Sequence, residues 1–458
     1  MTARLVAGLD IGSTEIKVLV TQEDGTELLI VQRPTPWRSG RGGATELDGG
    51  DLISAVVDLL QSATRKLIAH TGDSRVSVAA IGIAGMGETG YLVDQGGAVV
   101  APGIAWFDPR GQDQVDALPA DLGTEFGGRT GLPLGVQVSV TKLLYLRDSG
   151  TALNGCRWFN VPEFVATALG AKGISEYSLT SRTGLLDQDT GAPWARMLDY
   201  LGVDGDFLPP LTNAGTNLGI ATARWLPAAF SGARVTVAGH DHLVSAVSRG
   251  AIPRDRYHVS MGTAEVLLRV LDEPLTFEAR SRLTGWLINC VRHVTPGRHV
   301  LVAGVKTGLL LRRALQLTGV ENGIGRDRLD EDAIALPVQG KIPEGGIDVR
   351  GARNNDGVLS IAIRADGVTP AEMFNAVLRH SNEEIRLLID AMDQEIPPAR
   401  SSLLTGGWAG MKSVQRARSA VLPHMVISGR VQDTAYGATR FAAALLHERE
   451  SGNTGHDD

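Results

Sequence analysis

The sequence predicts an α/β protein whose two halves repeat one order of strands and helices. In the first half, apolar segments at 5–9 and 15–21 precede an Asp24-Gly25 turn, which is typical of a β-hairpin. A similar series begins near Val235. Amphipathic segments follow the strands in both halves, so we expect mixed sheets covered by helices.

The composition is that of an ordinary globular protein. Of the 458 residues, 43% are hydrophobic and 21% are charged, and the net charge is −7. This acidic balance argues against nucleic acid or an anionic membrane as the main partner. No apolar run approaches the ~18 residues of a membrane span, and two cysteines cannot form a disulfide framework. We therefore expect a soluble, cytoplasmic protein with buried thiols.

The first half continues with a helix and a buried strand. Asp51 is the predicted N-cap of the helix, and one apolar face follows it, formed by Leu52, Val56, Leu59, Leu60, Ala63 and Leu67. The apolar run at 76–84 predicts a strand that is buried on both faces.

The second half shows the same elements after a seam at 250–256. The predicted elements are strands at 257–261 and 266–270, a helix at 370–392, a strand at 403–405 and a closing helix at 434–446. The seam predicts one lobe at 1–249 and another at 250–446. The polar tail, 447–458, is predicted to be disordered.

The turn between the first two predicted strands carries Gly12, Ser13 and Thr14. A glycine followed by two hydroxyl residues lets backbone N–H groups and side chains approach phosphate oxygens. Lys17 adds a positive charge, and Asp10 is placed to hold Mg²⁺ through water. An ordinary hairpin with a polar turn is the alternative interpretation of this segment.

Asp241 lies where an apolar strand ends and a helix through Val247 begins. The positive end of a helix dipole favours an ionised carboxylate, and such a carboxylate can take a proton from a substrate hydroxyl. A plain helix cap is the alternative. His240 and His242 flank Asp241, but no third ligand at helical spacing supports a histidine metal site.

A second hydroxyl-bearing turn, Gly262-Thr263, lies between two strands of the second half. It mirrors the turn at 12–14. Two such turns, one opening each half, indicate two lobes that hold one polyphosphate between them.

In this order the motifs resemble those of the FGGY carbohydrate kinases, the family of glycerol kinase and xylulose kinase. Each further match is weak alone, but they run in order over about residues 5–445. They are Ile81–Thr89, Tyr91–Asp94, Pro102–Arg110, Thr130–Pro133, Thr141–Leu146, Glu176–Ser178, Thr183–Asp187, Leu404–Gly407 and Thr434–Ala438.

The resemblance implies two actin-like lobes of ribonuclease H type, with the active site in the cleft between them. It implies a kinase that uses ATP and Mg²⁺, with Asp241 as general base and Asp10 near the metal ion. The residues implied to bind ATP are Gly12, Ser13, Thr14, Lys17, Gly262, Thr263, Gly308, Gly406 and Gly407. Those implied to bind a sugar or polyol are Glu88, Trp106, Asp108, Arg110 and Gln137.

The chain also departs from the family pattern. Gly87 stands where glycerol kinases have an arginine, and Gln137 aligns with their substrate-contacting tyrosine. The family's Gly-Glu-Arg-x-Pro loop is not visible in the second half. With no arginine before Glu88, we expect a neutral substrate of about four to five carbons, a ketopentose or polyol, rather than an anionic aldonate.

Two other functions are left open by the sequence: an actin-like nucleotide switch that binds a protein partner, and a family member that binds sugar without phosphorylating it. Trp106 also fits a core position, and Arg110 also fits an ion pair with Asp108. The identity of the sugar is open, and so is the oligomeric state, for which a homodimer is one candidate.

Overall fold

The computed structural model describes residues 4–248, 250, 252–320, 322–337, 346–351, 360–428 and 433–447. Two mixed β-sheets, with helices packed against them, form the framework of this part of the chain. The tail that is predicted to be disordered lies outside the described residues except for His447.

The first sheet has five strands. Their spatial order is Arg234–His240, Val78–Gly85, Leu5–Ile11, Glu15–Gln22 and Glu27–Pro34. The last three strands form an antiparallel meander, and the first three run parallel to one another. The carboxyl ends of Leu5–Ile11 and Arg234–His240 therefore lie at the same edge of the sheet.

The second sheet has six strands and the same pattern. Their spatial order is Asn289–Arg292, His299–Val305, Glu265–Leu271, Arg256–Met261, Ser401–Thr405 and Met425–Ile427. The first four strands pair antiparallel, and the last three run parallel. Each sheet thus opens with a hairpin whose turn carries a glycine and a hydroxyl residue, as the sequence predicts.

Smaller elements complete the described part. Four short sheets pair the strands Arg38–Ser39, Thr45–Leu47 and Gly103–Ile104; Gly90–Val93 and Arg157–Asn160; Ser175–Glu176 and Leu211–Thr212; and Ile347–Arg350 and Ser360–Ile363. The α-helices are Gly49–Thr71, Gln112–Asp116, Ala120–Thr130, Ser139–Asp148, Val161–Ala168, Tyr177–Thr180, Ala195–Leu201, Asp241–Val247, Phe277–Gly285, Thr307–Leu317, Gly323–Ala335, Pro370–Asp393, Lys412–Ser419 and Asp433–Ala444. Short 3₁₀ turns span Arg41–Gly43 and Gly205–Phe207.

The first long helix starts earlier than the sequence predicts. Its N-cap is Asp48, whose carboxylate accepts the backbone N–H groups of Gly50 and Asp51. Two glycines at 49 and 50 favour a loop by propensity, and for this reason the sequence pattern points to Asp51 as the cap. The predicted apolar face is buried as expected.

The closing helix, Asp433–Ala444, packs on the first sheet, although the predicted division assigns it to the second lobe. Gly8 and Gly82 allow this contact, because a Cβ at either position would clash with a carbonyl oxygen of the helix, that of Ala435 or Ala438. The division at residue 250 stays a prediction.

None of the helices in the described ranges combines the length and the apolar character that a membrane crossing needs. Cys156 and Cys290 are buried, and neither forms a disulfide.

Candidate active site

A cleft of about 290 Å³ receives residues from both sheets and from the closing helix. It is lined by Asp10, Gly12, Ser13, Thr14, Glu15, Lys17, Asp241, His242, Ser245, Ser260, Thr405, Gly406 and Thr434. Seven of the residues predicted for catalysis or ATP binding therefore share one cavity: Asp10, Gly12, Ser13, Thr14, Lys17, Asp241 and Gly406.

Asp10 lies near the end of the first strand, beside the turn at 12–14, and pairs in register with Lys17. The turn is closed by the Gly12 N–H, which donates to the Glu15 carbonyl at 3.1 Å. Burial, and after it the charge of Asp241, raises the pKa of Asp10 to about 7, while Lys17 acts in the opposite direction. Loss of hydration is thus the main cause of the shift, and repulsion from Asp241 adds to it.

Asp241 is the first residue of the helix Asp241–Val247, directly after the parallel strand that ends at His240. Its Oδ1 accepts the His242 backbone N–H at 2.6 Å and lies 3.4 Å from His240 Nε2. Burial lowers the pKa of His240 to about 3, so this imidazole is neutral at physiological pH. About a fifth of the Asp241 side chain is exposed, toward the cleft that it lines.

Buried polar groups hold the end of the strand that leads into Asp241. Ser178 Oγ accepts the His240 N–H at 3.0 Å and donates to Glu176 Oε2 at 2.6 Å. Gly239, at φ +107°, lies against both side chains, since a Cβ there would be 2.6 Å from Ser178 Oγ. The segment Glu176–Ser178, which stands out in the sequence only through the family resemblance, therefore positions Asp241.

The second turn is packed against the helix Thr307–Leu317. Leu309 N donates to the Thr263 carbonyl at 2.8 Å, and Arg312 Nη2 donates to Thr263 Oγ1 at 3.0 Å. Gly308 touches the Gly262 carbonyl so closely that a Cβ would overlap it. Gly406 likewise needs its φ of +95° and lies against Met261.

We expect Gly308→Ala to raise the KM for ATP about tenfold, because the new methyl group must displace the turn at Gly262. Steady-state kinetics with ATP varied measure this effect. Gly323→Ala is the matched control, since Gly323 also begins a helix and has nothing within 4 Å of its would-be Cβ. An unchanged KM in the Gly308 variant would show that this turn does not contact the nucleotide.

The substrate-side residues split into two groups. Glu88 is buried at φ +59°, a strained conformation for a residue with a side chain. Trp106 Nε1 donates to Ser13 Oγ at 2.9 Å, so this predicted substrate-side residue contacts the turn at 12–14. Gln137 is half-buried in the loop before Ser139, whose hydroxyl donates to the Glu88 carbonyl at 2.7 Å.

Asp108 and Arg110 instead bind each other. Arg110 Nε and Nη2 donate to the Asp108 carboxylate, and Nη1 donates to Glu46 Oε1 at 2.7 Å. Asp108 also accepts the Thr45 N–H at 2.6 Å and has no exposed surface. Lys142 Nζ donates to the carbonyls of both residues. The structure thus favours the alternative, an ion pair between Arg110 and Asp108, over the expected contact with substrate, although Asp108 is buried.

Four of the predicted ATP-binding residues, Gly262, Thr263, Gly308 and Gly407, do not line the cleft itself. Sequence reasoning did not assign six of the lining residues to the site: Glu15, His242, Ser245, Ser260, Thr405 and Thr434. Thr434 is there because the closing helix crosses to the first sheet. In that helix Gly437 packs against the Val244 carbonyl of the Asp241 helix.

The same two-lobed fold occurs in solved sugar kinases. The gluconate kinase of Lactobacillus acidophilus superposes with a TM-score of 0.83 at 17% identity, covering 98% of this chain and 91% of that one. The glycerol kinase of Plasmodium falciparum, solved with ADP, gives a TM-score of 0.82 at 16% identity, covering 97% and 90%. The predicted actin-like fold with two lobes is therefore confirmed.

The family model for the N-terminal domain of the FGGY family of carbohydrate kinases matches residues 5–248, more than half of the chain. The chain belongs to the FGGY family. The glycerol kinase of Agrobacterium fabrum is 26% identical over 244 residues, 51% of this chain and 47% of that protein. The rhamnulokinase of Enterococcus faecalis is 24% identical over 272 residues, 58% and 53%. The chain thus spans about half the length of the curated relatives it matches.

Proposed function

We propose that the chain is a kinase that transfers the terminal phosphoryl group of ATP to a hydroxyl of a small neutral sugar or polyol. The observation that carries this proposal is the cleft, where Asp10 and Asp241, from two parallel-strand ends, meet the turn at 12–14 and the Thr405–Gly406 segment. Transfer of a phosphoryl group needs positioning and electrostatic stabilisation rather than covalent chemistry. This cleft supplies backbone donors, hydroxyls and two carboxylates for those tasks.

Asp241 acts as the general base in this proposal. Its carboxylate is held by the His242 N–H and lies beside a neutral His240, and no lysine or arginine in the described part of the chain forms an ion pair with it. An oriented carboxylate in a cleft can accept the proton of the attacking hydroxyl as the bond to phosphorus forms. Lys17 and the N–H groups of the turn at 12–14 would face the phosphate oxygens of ATP.

The cleft also fits Mg²⁺. Among the described residues no group of three or more His, Cys, Asp or Glu is placed to hold a metal ion, but Mg²⁺ usually takes only one or two carboxylates and completes its shell with water and substrate phosphates. Asp10 can supply one such carboxylate, and a cation beside it would also reduce the repulsion from Asp241 that, after burial, raises the pKa of Asp10. When bound, Mg²⁺ would neutralise charge on the transferring phosphate.

A panel of glycerol, tetritols, ketopentoses and gluconate, in an assay that couples ADP release to NADH oxidation, tests this function. We expect sugar-dependent ADP release with a neutral member of the panel. ADP release that no sugar stimulates would favour a nucleotide switch. No release at all, together with sugar binding, would favour a family member that only binds sugar.

We expect Asp10→Asn to raise the Mg²⁺ concentration needed for half-maximal turnover and to lower turnover, with thermal stability equal to or above that of the wild type. The charged form of Asp10 is disfavoured in the fold, because its pKa is raised from 3.8 to about 7. A neutral amide removes that penalty at pH 8. A Mg²⁺ titration and a thermal melt measure the two effects.

The control for this variant is Asp58→Asn, an exposed carboxylate paired with Arg33 outside the cleft. It should leave the Mg²⁺ dependence unchanged. A wild-type Mg²⁺ profile in the Asp10 variant would remove Asp10 from the metal site.

A further inference from the structure

Glu88 forms an ion pair with Arg182, although the sequence predicts a Glu88 that faces substrate with no cation beside it. Arg182 Nε donates to Glu88 Oε1 at 2.7 Å, and Nη2 contacts the same oxygen. Only 11% of the Arg182 side chain and 10% of the Glu88 side chain are exposed. The two residues are 94 positions apart in sequence, so no local sequence motif predicts the pair. It corrects the expectation that Glu88 has no compensating charge.

The glycine at position 87 and the arginine at 182 are sterically linked. A Cβ at Gly87 would lie 2.9 Å from Arg182 Cγ and 3.0 Å from His240 Cδ2. The stem of Arg182 therefore fills the space that a side chain at 87 would need. The cation is supplied by the residue that follows the C-cap of the helix Tyr177–Thr180, and not by the residue before Glu88.

The pair retains hydrogen-bonding capacity beside the cleft. Both contacts from Arg182 end on Oε1 of Glu88, and neither uses Oε2. Arg182 Nη1 is buried and has no hydrogen-bond partner in the described structure. A buried donor without a partner is rare in native proteins, and a water, an ion or a substrate oxygen can complete it. Glu88 is also close enough to Asp241 and His242 to interact with their charges.

We propose that Arg182 and Glu88 together select the acceptor, with Arg182 Nη1 donating to one substrate oxygen and Glu88 Oε2 accepting from a neighbouring hydroxyl. The inference rests on the proposed kinase function and names its substrate class, a neutral chain with adjacent hydroxyl or carbonyl oxygens. The carboxylate and guanidinium cancel, so the pair carries no net charge to attract an aldonate. The preference for a neutral substrate thus follows from the charge balance of Arg182 and Glu88, and not from the absence of an arginine at position 87.

Two variants test the pair from opposite sides. Glu88→Gln leaves the guanidinium uncompensated, so we expect the ratio of kcat/KM for gluconate to that for the best neutral sugar to rise about tenfold. Arg182→Lys keeps the charge beside Glu88 but removes the Nη1 donor, so the sugar KM should rise about tenfold while the ATP KM stays unchanged. If the pair had only a structural role, the gluconate-to-neutral-sugar ratio would stay unchanged, and the KM for sugar would not rise without the KM for ATP.

Glu395→Gln is the matched control, since Glu395 is equally buried, at 11% exposure, and binds Arg282 through both oxygens away from the cleft. Calorimetric measurement of sugar binding in the absence of ATP tests this inference independently of the proposed kinase function. If the variants shift the preference in binding while no protein turns over, the inference stands and the kinase proposal fails. Unchanged preferences in both variants overturn the inference even when the wild type is an active kinase. A wild type that binds no sugar overturns both.

Discussion

Replacing Asp241 with asparagine is expected to lower kcat by at least ~10²-fold, because the amide cannot accept the proton of the attacking hydroxyl. Asparagine has nearly the same shape and can keep the contact with the His242 N–H, which is made by Oδ1. ATP affinity should therefore stay near that of the wild type. Turnover in the ADP-release assay and a nucleotide-binding isotherm measure the two quantities.

Asp51→Asn is a suitable control for this substitution. Asp51 also lies in the first turn of a helix, where a carboxylate interacts with the helix dipole, but it faces Arg38 outside the cleft. Its variant should turn over normally. Near wild-type turnover in the Asp241 variant would exclude Asp241 as the base.

The substitution Gly82→Ala is expected to destabilise the protein by roughly 3 kcal/mol and to reduce activity with it. The added methyl group would clash with the Ala438 carbonyl, which belongs to the backbone of the closing helix and cannot rotate away. Displacing that helix also moves Thr434 from the cleft wall. Chemical denaturation and the turnover assay measure the loss.

Gly123→Ala provides the contrast, since Gly123 lies inside the helix Ala120–Thr130 with nothing within 4 Å of its would-be Cβ. Alanine favours a helix over glycine by about 1 kcal/mol, so this variant should be as stable as the wild type or more so. A Gly82 variant of equal stability would mean that the closing helix does not bind the first sheet as described.

Local signals in the sequence are sufficient for the framework of the fold. The apolar run at 76–84 and the Asp24-Gly25 turn predict strands because burial and turn geometry are encoded in consecutive residues. The structure has the first of these strands at Val78–Gly85. The crossing of the closing helix is not predictable in this way. It depends on Gly8 and Gly82 meeting a helix more than 350 positions later, and a glycine in a strand can equally mark a bulge or a sharp bend.

The site residues likewise fall into those that the sequence predicts and those that only the fold brings together. Asp10 lies near the end of one apolar strand and Asp241 directly follows another, so their shared sheet edge can be inferred from pattern and resemblance. Whether a charged side chain binds substrate or another side chain is decided by partners distant in sequence. The sequence therefore predicts Arg110 as a substrate-binding residue, yet in the structure Arg110 binds Asp108 and Glu46. Arg182, in contrast, carries no motif, and only the fold brings it to Glu88.

The most direct test of the kinase proposal is phosphorus NMR of the product formed from ATP, Mg²⁺ and each neutral sugar of the panel. The proposed mechanism predicts a new phosphomonoester signal that grows in step with ADP, for at least one sugar, and that is absent with Asp241→Asn. Inorganic phosphate appearing in step with ADP, with no phosphomonoester for any sugar, would contradict it.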